Sequence, residues 1–200
     1  MINPKEMPIV EYSDTSFYDF VLEELDSDKN ILKENEGKVT MVVNITGECA
    51  NSAQYVTIQN LYDEYRDKGF EVIAVPSTDF CADGYGEFAG TSANAETMRD
   101  HMKNLYKTDL PFSKMTSINP TYHSPDSKEE PHPMYEKIQE KGGPIQGNFE
   151  KIIIGRDGKK MIRFCNSDLL NLAFNAGERT IDSDTALSLI KESIETFLKD

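Results

Sequence analysis

The chain has 200 residues, 35 of them Asp or Glu against 21 Lys or Arg, a net charge of -14, and 38% hydrophobic residues. That length suits one domain with a substantial core, and the composition is that of a folded protein rather than a disordered one. The negative charge repels phosphate backbones and anionic lipid, which argues against nucleic-acid and membrane-surface partners, and no stretch approaches the roughly 20 apolar residues that cross a bilayer.

The opening MINPKEMPIVEYSDTSF has no basic segment followed by an apolar core, so it does not read as a signal peptide. The cytoplasm is the compartment expected, with export the alternative if a leader has been removed. Residues 39 to 46, VTMVVNIT, are a β-branched run bounded by EGK and GE, which predicts a strand buried on both faces. After Cys49, the residues Tyr55, Ile58, Leu61, Tyr62 and Tyr65 share one helical stripe that stops at Gly69. FEVIAV at 70 to 75 predicts a second strand, so strand, helix and strand fall within about 36 residues, the pattern of a crossover between parallel strands. A helix is expected over 95 to 107, followed by an irregular surface loop over the proline- and charge-rich 118 to 133. NFEKIIIGRDGKKMIRF, 148 to 164, predicts two strands joined through Asp157-Gly158. A closing helix over 184 to 199 places Leu187, Ile190, Ile194 and Phe197 on its inner stripe. The sum is an α/β fold with a mixed central sheet flanked by helices, forming a single domain over 1 to 200.

Cys49, Cys81 and Cys165 contain no CxxC pair, which argues against a disulfide framework, a structural zinc site and a thiol–disulfide oxidoreductase. His101, His123 and His132 are widely spaced and match no metal-ligand pattern; no P-loop or dinucleotide fingerprint occurs. In an open α/β sheet reactive groups gather at the carboxyl ends of parallel strands, and Cys49 stands there, just before a helix. Two readings of it are open. N–H groups of a helix's first turn favour a thiolate and bring such cysteines to pKa values of roughly 3.5–7.5, which makes a nucleophile. Free cysteine is also among the most buried residue types, where it serves as a small hydrophobe.

The phrases around Cys49 resemble the glutathione peroxidase family of the thioredoxin superfamily, over nearly the whole chain. FYDFVLEELDSDKNILKENEGKVTMVVNITGECANSAQY is similar to that family's opening hairpin, first core strand and N-V-A-S-x-C-G-x-T-x-x-Y motif. LYDEYRDKGFEVIAVPSTDF is similar to L-Y-x-x-Y-x-x-x-G-F-x-V-L-x-F-P-C-N-Q-F. LPFSKM, HPMYEKI and GNFEKIIIGRDGKKMIRF follow in the family's order. The resemblance implies a thioredoxin-like fold with an N-terminal β-hairpin, and an antioxidant peroxidase with no bound cofactor that serves the response to oxidative stress. Its substrates would be hydrogen peroxide or organic hydroperoxides, and its reducing co-substrate glutathione, another low-molecular-weight thiol or a thioredoxin-type reductant. It also implies that Cys49 attacks the peroxide and becomes a sulfenic acid, and that Asn148 is one of the residues whose N–H donors hold the thiolate.

Three departures touch that chemistry. Asp79 stands at the position of the family's glutamine, Gly147 at that of its tryptophan, and Glu48 precedes the cysteine where lysine is common. Asp79 is therefore a site residue of altered role: ionised, it only accepts hydrogen bonds and raises a neighbouring thiol's pKa; protonated, it donates. Asp79 and Glu48 facing solvent is the plainer alternative. Many members carry a second cysteine in a helix ahead of F-P-x-F, where this chain has Lys103; Cys81 is the possible resolving thiol, or a small loop residue, and Cys165 reads as structural. The alternative function is a catalytically impaired relative that binds a thiol or a protein partner. The short gap between HPMY and GNF favours a monomer. The stretches 121 to 131 and 166 to 183 exceed the family core, as partner or substrate loops or as surface elaboration.

Overall fold

The computed structural model describes residues 9–81, 90–166, 168–169 and 183–200. Among them, strands β1 (Val10–Glu11), β2 (Val39–Ile45), β3 (Phe70–Pro76), β4 (Lys151–Ile154) and β5 (Lys160–Phe164) form one sheet in the order β1-β5-β4-β2-β3. β2 and β3 are parallel, in register from Val39 opposite Phe70 to Ile45 opposite Pro76; the other pairings are antiparallel. All seven residues of β2 are buried, as expected of a largely apolar, β-branched strand covered on both faces.

Helix α1 (Gln54–Tyr65) makes the expected crossover from β2 to β3. A turn of 3-10 helix follows it and ends on Gly69 at φ 93°, a left-handed conformation that glycine adopts without strain. On one face of the sheet Met41 and Val43 meet Tyr55 and Ile58 of α1 together with Ile190, Ile194 and Phe197 of the closing helix α4 (Ser183–Lys199). Met98 and Met102 of α2 (Ala95–Tyr106) join the same cluster. On the other face Val42, Ile152 and Ile154 meet Met134, Tyr135 and Ile138 of α3 (Pro133–Gly142), along with Phe17 and Tyr18. Each such side chain contributes about 1.5–3 kcal/mol by burial, so both faces are anchored by apolar area.

The β4–β5 hairpin turns through Asp157-Gly158 as expected: the Gly155 N–H donates to Lys160 O at 2.8 Å, Asp157 Oδ1 accepts from the Lys159 N–H at 2.8 Å, and Gly158 sits at φ 70°. Four expectations shift in detail. The N-terminal hairpin is a single antiparallel bridge between Glu23 and Asn30. β4 begins at Lys151, because Asn148 and Phe149 are taken up in the approach to the strand. Ala186 rather than Leu187 is fully buried on the inner stripe of α4. Helix α3 falls at the end of the stretch expected to be irregular, with Pro133 in its first turn and the His132 Nδ1 accepting from the Met134 N–H at 3.1 Å. No helix among the described residues is long and apolar enough to cross a membrane.

Candidate active site

The chain leaves the carboxyl ends of β2 and β3 through residues 46–51 and 77–81. The pairing of Val43 with Lys151 brings residues 147–150 to the same end of the sheet. A cleft of about 930 Å³ opens there, and Cys49, Asp79, Cys81 and Asn148 all line it. Tyr122, His123 and Glu129 line it too, so part of the longer 121–131 stretch is a wall of the site. Most of 166–183 lies outside the described residues.

Cys49 sits in a tight turn ahead of α1. Its N–H donates to Ser52 Oγ at 2.9 Å, and the Ser52 N–H donates to the Cys49 carbonyl at 3.0 Å. The Ser52 hydroxyl has one proton and two acceptors in reach, the Gly47 carbonyl at 3.2 Å and the Cys49 Sγ at 3.6 Å. The Asn51 N–H points at the same sulfur from 3.3 Å. Burial pushes the Cys49 thiol above its ordinary value; the Ser52 and Asn51 bonds pull it down, while Glu48 and Cys81 push it further up. The net direction is upward, against the pull that a helix's first turn would exert on a thiol. α1 begins only at Gln54, so one turn N–H replaces the fan of first-turn donors, and desolvation outweighs it.

Each of the three departures has a place. The Glu48 carboxylate accepts from the Tyr106 hydroxyl at 2.8 Å and meets His101 Nε2 at 2.9 Å, both on α2. Asp79 Oδ2 accepts from the backbone N–H groups of Ile118 and Asn119 at 2.6 and 2.7 Å and so fixes the start of the loop that walls the cleft. Neither carboxylate simply faces solvent. At Gly147 a Cβ would stand 2.5 Å from Asn166 Nδ2, so the room for a side chain is taken by Asn166, whose carbonyl accepts from Gln54 Nε2 at 2.6 Å.

Asn148 is 6% exposed, and its Oδ1 has no hydrogen-bond partner among the described residues. Its backbone is held from both sides. Asn51 Nδ2 donates to the Asn148 carbonyl at 3.2 Å, and Asn44 of β2 clamps the segment by donating to Gly147 O at 2.9 Å and accepting from the Glu150 N–H at 3.0 Å. Between them Phe149 adopts φ 72°, a conformation that costs a bulky residue about 1–3 kcal/mol. Its buried ring stands edge-on to Tyr55 at 4.8 Å, so packing holds the strained backbone in place. Cys81 Sγ lies 2.7 Å from Thr46 Oγ1. Cys165 is not among the residues lining the cleft, and its carbonyl accepts from the buried Lys151 Nζ at 2.8 Å. The three cysteines are free.

Sequence reasoning missed Ser52, Asn51 and Asn44. Ser52 had a signal: a hydroxyl three residues after the cysteine has the spacing of the returning half of a capping box. Asn44 also had one, since a polar residue inside an apolar buried strand must find partners.

The family model described as Glutathione peroxidase matches residues 17–125. The glutathione peroxidase of Lactococcus lactis subsp. cremoris is 30% identical over 154 residues, covering 74% of this chain and 88% of that protein. The glutathione peroxidase-like peroxiredoxin 2 of Saccharomyces cerevisiae is 27% identical over 154 residues, covering 75% of this chain and 87% of that protein. Among solved structures, T. cruzi GPX1 aligns with a TM-score of 0.59 at 19% identity, over 92% of this chain and 97% of that one.

Proposed function

The chain belongs to the glutathione peroxidase family and has its thioredoxin-like fold, and on that premise we propose that Cys49 is the nucleophile of a thiol-dependent peroxidase. Membership makes the protein an oxidoreductase that reduces peroxides with electrons from thiols. One observation carries the assignment of Cys49: two donors, the Asn51 N–H and the Ser52 hydroxyl, converge on its sulfur inside a cleft that Asn148 also lines.

The Cys49 thiolate attacks the terminal oxygen of a hydroperoxide. An S–O bond forms, the O–O bond breaks, and the leaving oxygen departs with a proton as water or an alcohol. Asn148, which lines the same cleft, is the amide that orients the hydroperoxide in this reading. When the thiol ionises, the Ser52 proton swings from Gly47 O to the sulfur, which keeps the thiolate bonded in a buried place. A thiol then attacks the Cys49 sulfenic sulfur, releasing water and leaving a mixed disulfide, and a second thiol frees Cys49 as the oxidised thiol pair departs. Asp79 acts as a positioning residue through the loop at 118–119. A second reading of the reductive half is favoured by the shared cleft: Cys81 captures the sulfenic acid as a disulfide before the external thiol arrives.

Stopped-flow oxidation by hydrogen peroxide, with sulfenic acid trapped at each cysteine, tests the assignment. Rapid sulfenic acid at Cys49 and loss of turnover in Cys49→Ser are expected. Oxidation no faster than that of an ordinary free thiol would instead favour a catalytically impaired member that binds a thiol or a partner.

A further inference from the structure

Among the described residues that line the cleft, acidic side chains outnumber basic ones, His123 being the single basic side chain. Three carboxylates line it, those of Glu48, Asp79 and Glu129, and none of the described lining residues is a lysine or an arginine. Lys128, beside Glu129, is not among the lining residues. Two of the carboxylates are held by hydrogen bonds, Glu48 by Tyr106 and His101, Asp79 by two backbone N–H groups. Asn148 Oδ1, buried and without a hydrogen-bond partner among the described residues, is likewise an acceptor.

We propose that this cleft rejects anionic substrates, so that the thiol reducing oxidised Cys49 is a neutral or cationic low-molecular-weight thiol rather than glutathione, which carries two carboxylates and one ammonium. The proposal rests on Cys49 as the reacting sulfur. A volume of about 930 Å³ suits a small molecule. Low-dielectric walls focus the field of these carboxylates within the cleft, and at physiological salt that field is screened over about 8 Å. Glutathione must bring its own carboxylates past them before its sulfur reaches Cys49; a thiol with esterified or absent carboxylates meets no such barrier. The same field acts whether the sulfur of Cys49 is held as a sulfenic acid, a mixed disulfide or a disulfide to Cys81.

The test compares glutathione with its diethyl ester, which has the same thiol and a net positive charge. In a Cys81→Ser, Cys165→Ser background, Cys49 is converted to a mixed disulfide by exchange with neutral hydroxyethyl disulfide, and its release by each thiol is timed. Each rate is divided by that of the same thiol on free hydroxyethyl disulfide, which removes intrinsic nucleophilicity. At low salt the ester should be about tenfold the faster, with the ratio closing as salt is raised and in Glu129→Lys. A ratio below about threefold, or one that neither salt nor Glu129→Lys reduces, overturns the proposal. Because the mixed disulfide is made chemically, this outcome is separate from the peroxide step. Absence of sulfenic acid with hydrogen peroxide counts against Cys49 as nucleophile, whereas charge-blind release counts against the selectivity alone.

Discussion

Replacing Ser52 by alanine separates the support of a thiolate from the support of a fold. The Ser52 hydroxyl has Gly47 O at 3.2 Å and the Cys49 sulfur at 3.6 Å as acceptors, and a thiolate, being charged, draws its proton more strongly than a neutral carbonyl. A hydrogen bond to a charged acceptor is worth about 1.5–3 kcal/mol, and the length of this one brings it to about 1 kcal/mol. Removing it pushes the Cys49 thiol further up, and an energy of that size is about a fivefold change in an ionisation equilibrium. At neutral pH the thiolate fraction, and with it the rate of sulfenic acid formation, falls about fivefold. The Cys49 N–H also loses its acceptor, which lowers stability by about 1–3 kcal/mol. The assay is thiolate absorbance against pH in both proteins, with the peroxide rate measured across the same range. A slower rate at neutral pH that recovers once Cys49→thiolate ionisation is complete is the expected pair of results. A titration curve that does not move, or moves downward, while the melting temperature drops would show that Ser52 only braces the turn.

Glu48→Gln should move the same titration the other way, because it deletes a charge that pushes the Cys49 thiol up while keeping an acceptor for the Tyr106 hydroxyl; an unmoved curve would mean that the charge is not felt. Tyr18, buried and donating to Thr40 Oγ1 at 3.1 Å, has its phenol pushed from 10.0 to about 12, chiefly by burial. The folded state therefore keeps a proton that the unfolded state gives up above pH 10, so stability is intact below that pH and falls by about 3 kcal/mol toward pH 12. Urea midpoints across this window should decline less steeply in Tyr18→Phe, and an unchanged slope would refute the assignment. At Phe149, with φ 72°, glycine is unstrained and alanine is not, so Phe149→Gly should be at least as stable as Phe149→Ala. That reverses the usual advantage of alanine of about 0.5–1 kcal/mol, and urea denaturation of the two variants decides it.

What could be read from the sequence was what is local. The apolar run of β2, the stripe of α1 and the Asp157-Gly158 turn each declare themselves within a few residues, and the crossover they imply puts Cys49 at the carboxyl end of a parallel strand. Helix α3 escaped because its stripe of Met134, Tyr135 and Ile138 is short and follows a proline-rich run, with its start set by a histidine cap. The direction of the Cys49 ionisation was out of reach for a different reason. It depends on where α1 starts and on how deeply packing buries the sulfur, and neither is written in the residues around position 49. The partners of the two unexpected carboxylates were equally remote: His101 is 53 positions from Glu48, and Ile118 is 39 from Asp79.

Those remote partners bear on what the replaced residues mean for the chemistry. Had the family's glutamine and tryptophan positions decayed without consequence, Asp79 would be free of partners and the space beside Gly147 open. Asp79 instead ties down two N–H groups of the loop that walls the cleft, and Asn166 fills the space at Gly147. The donors that reach the sulfur, Asn51 N–H and Ser52 Oγ, belong to the turn that carries Cys49 itself, so they do not depend on the residues at 79 or 147. A thiolate held from within its own turn needs less from surrounding amides. It is still opposed by burial and by the charge of Glu48, and the balance of those two against two hydrogen bonds sets how much of the thiol is reactive at neutral pH.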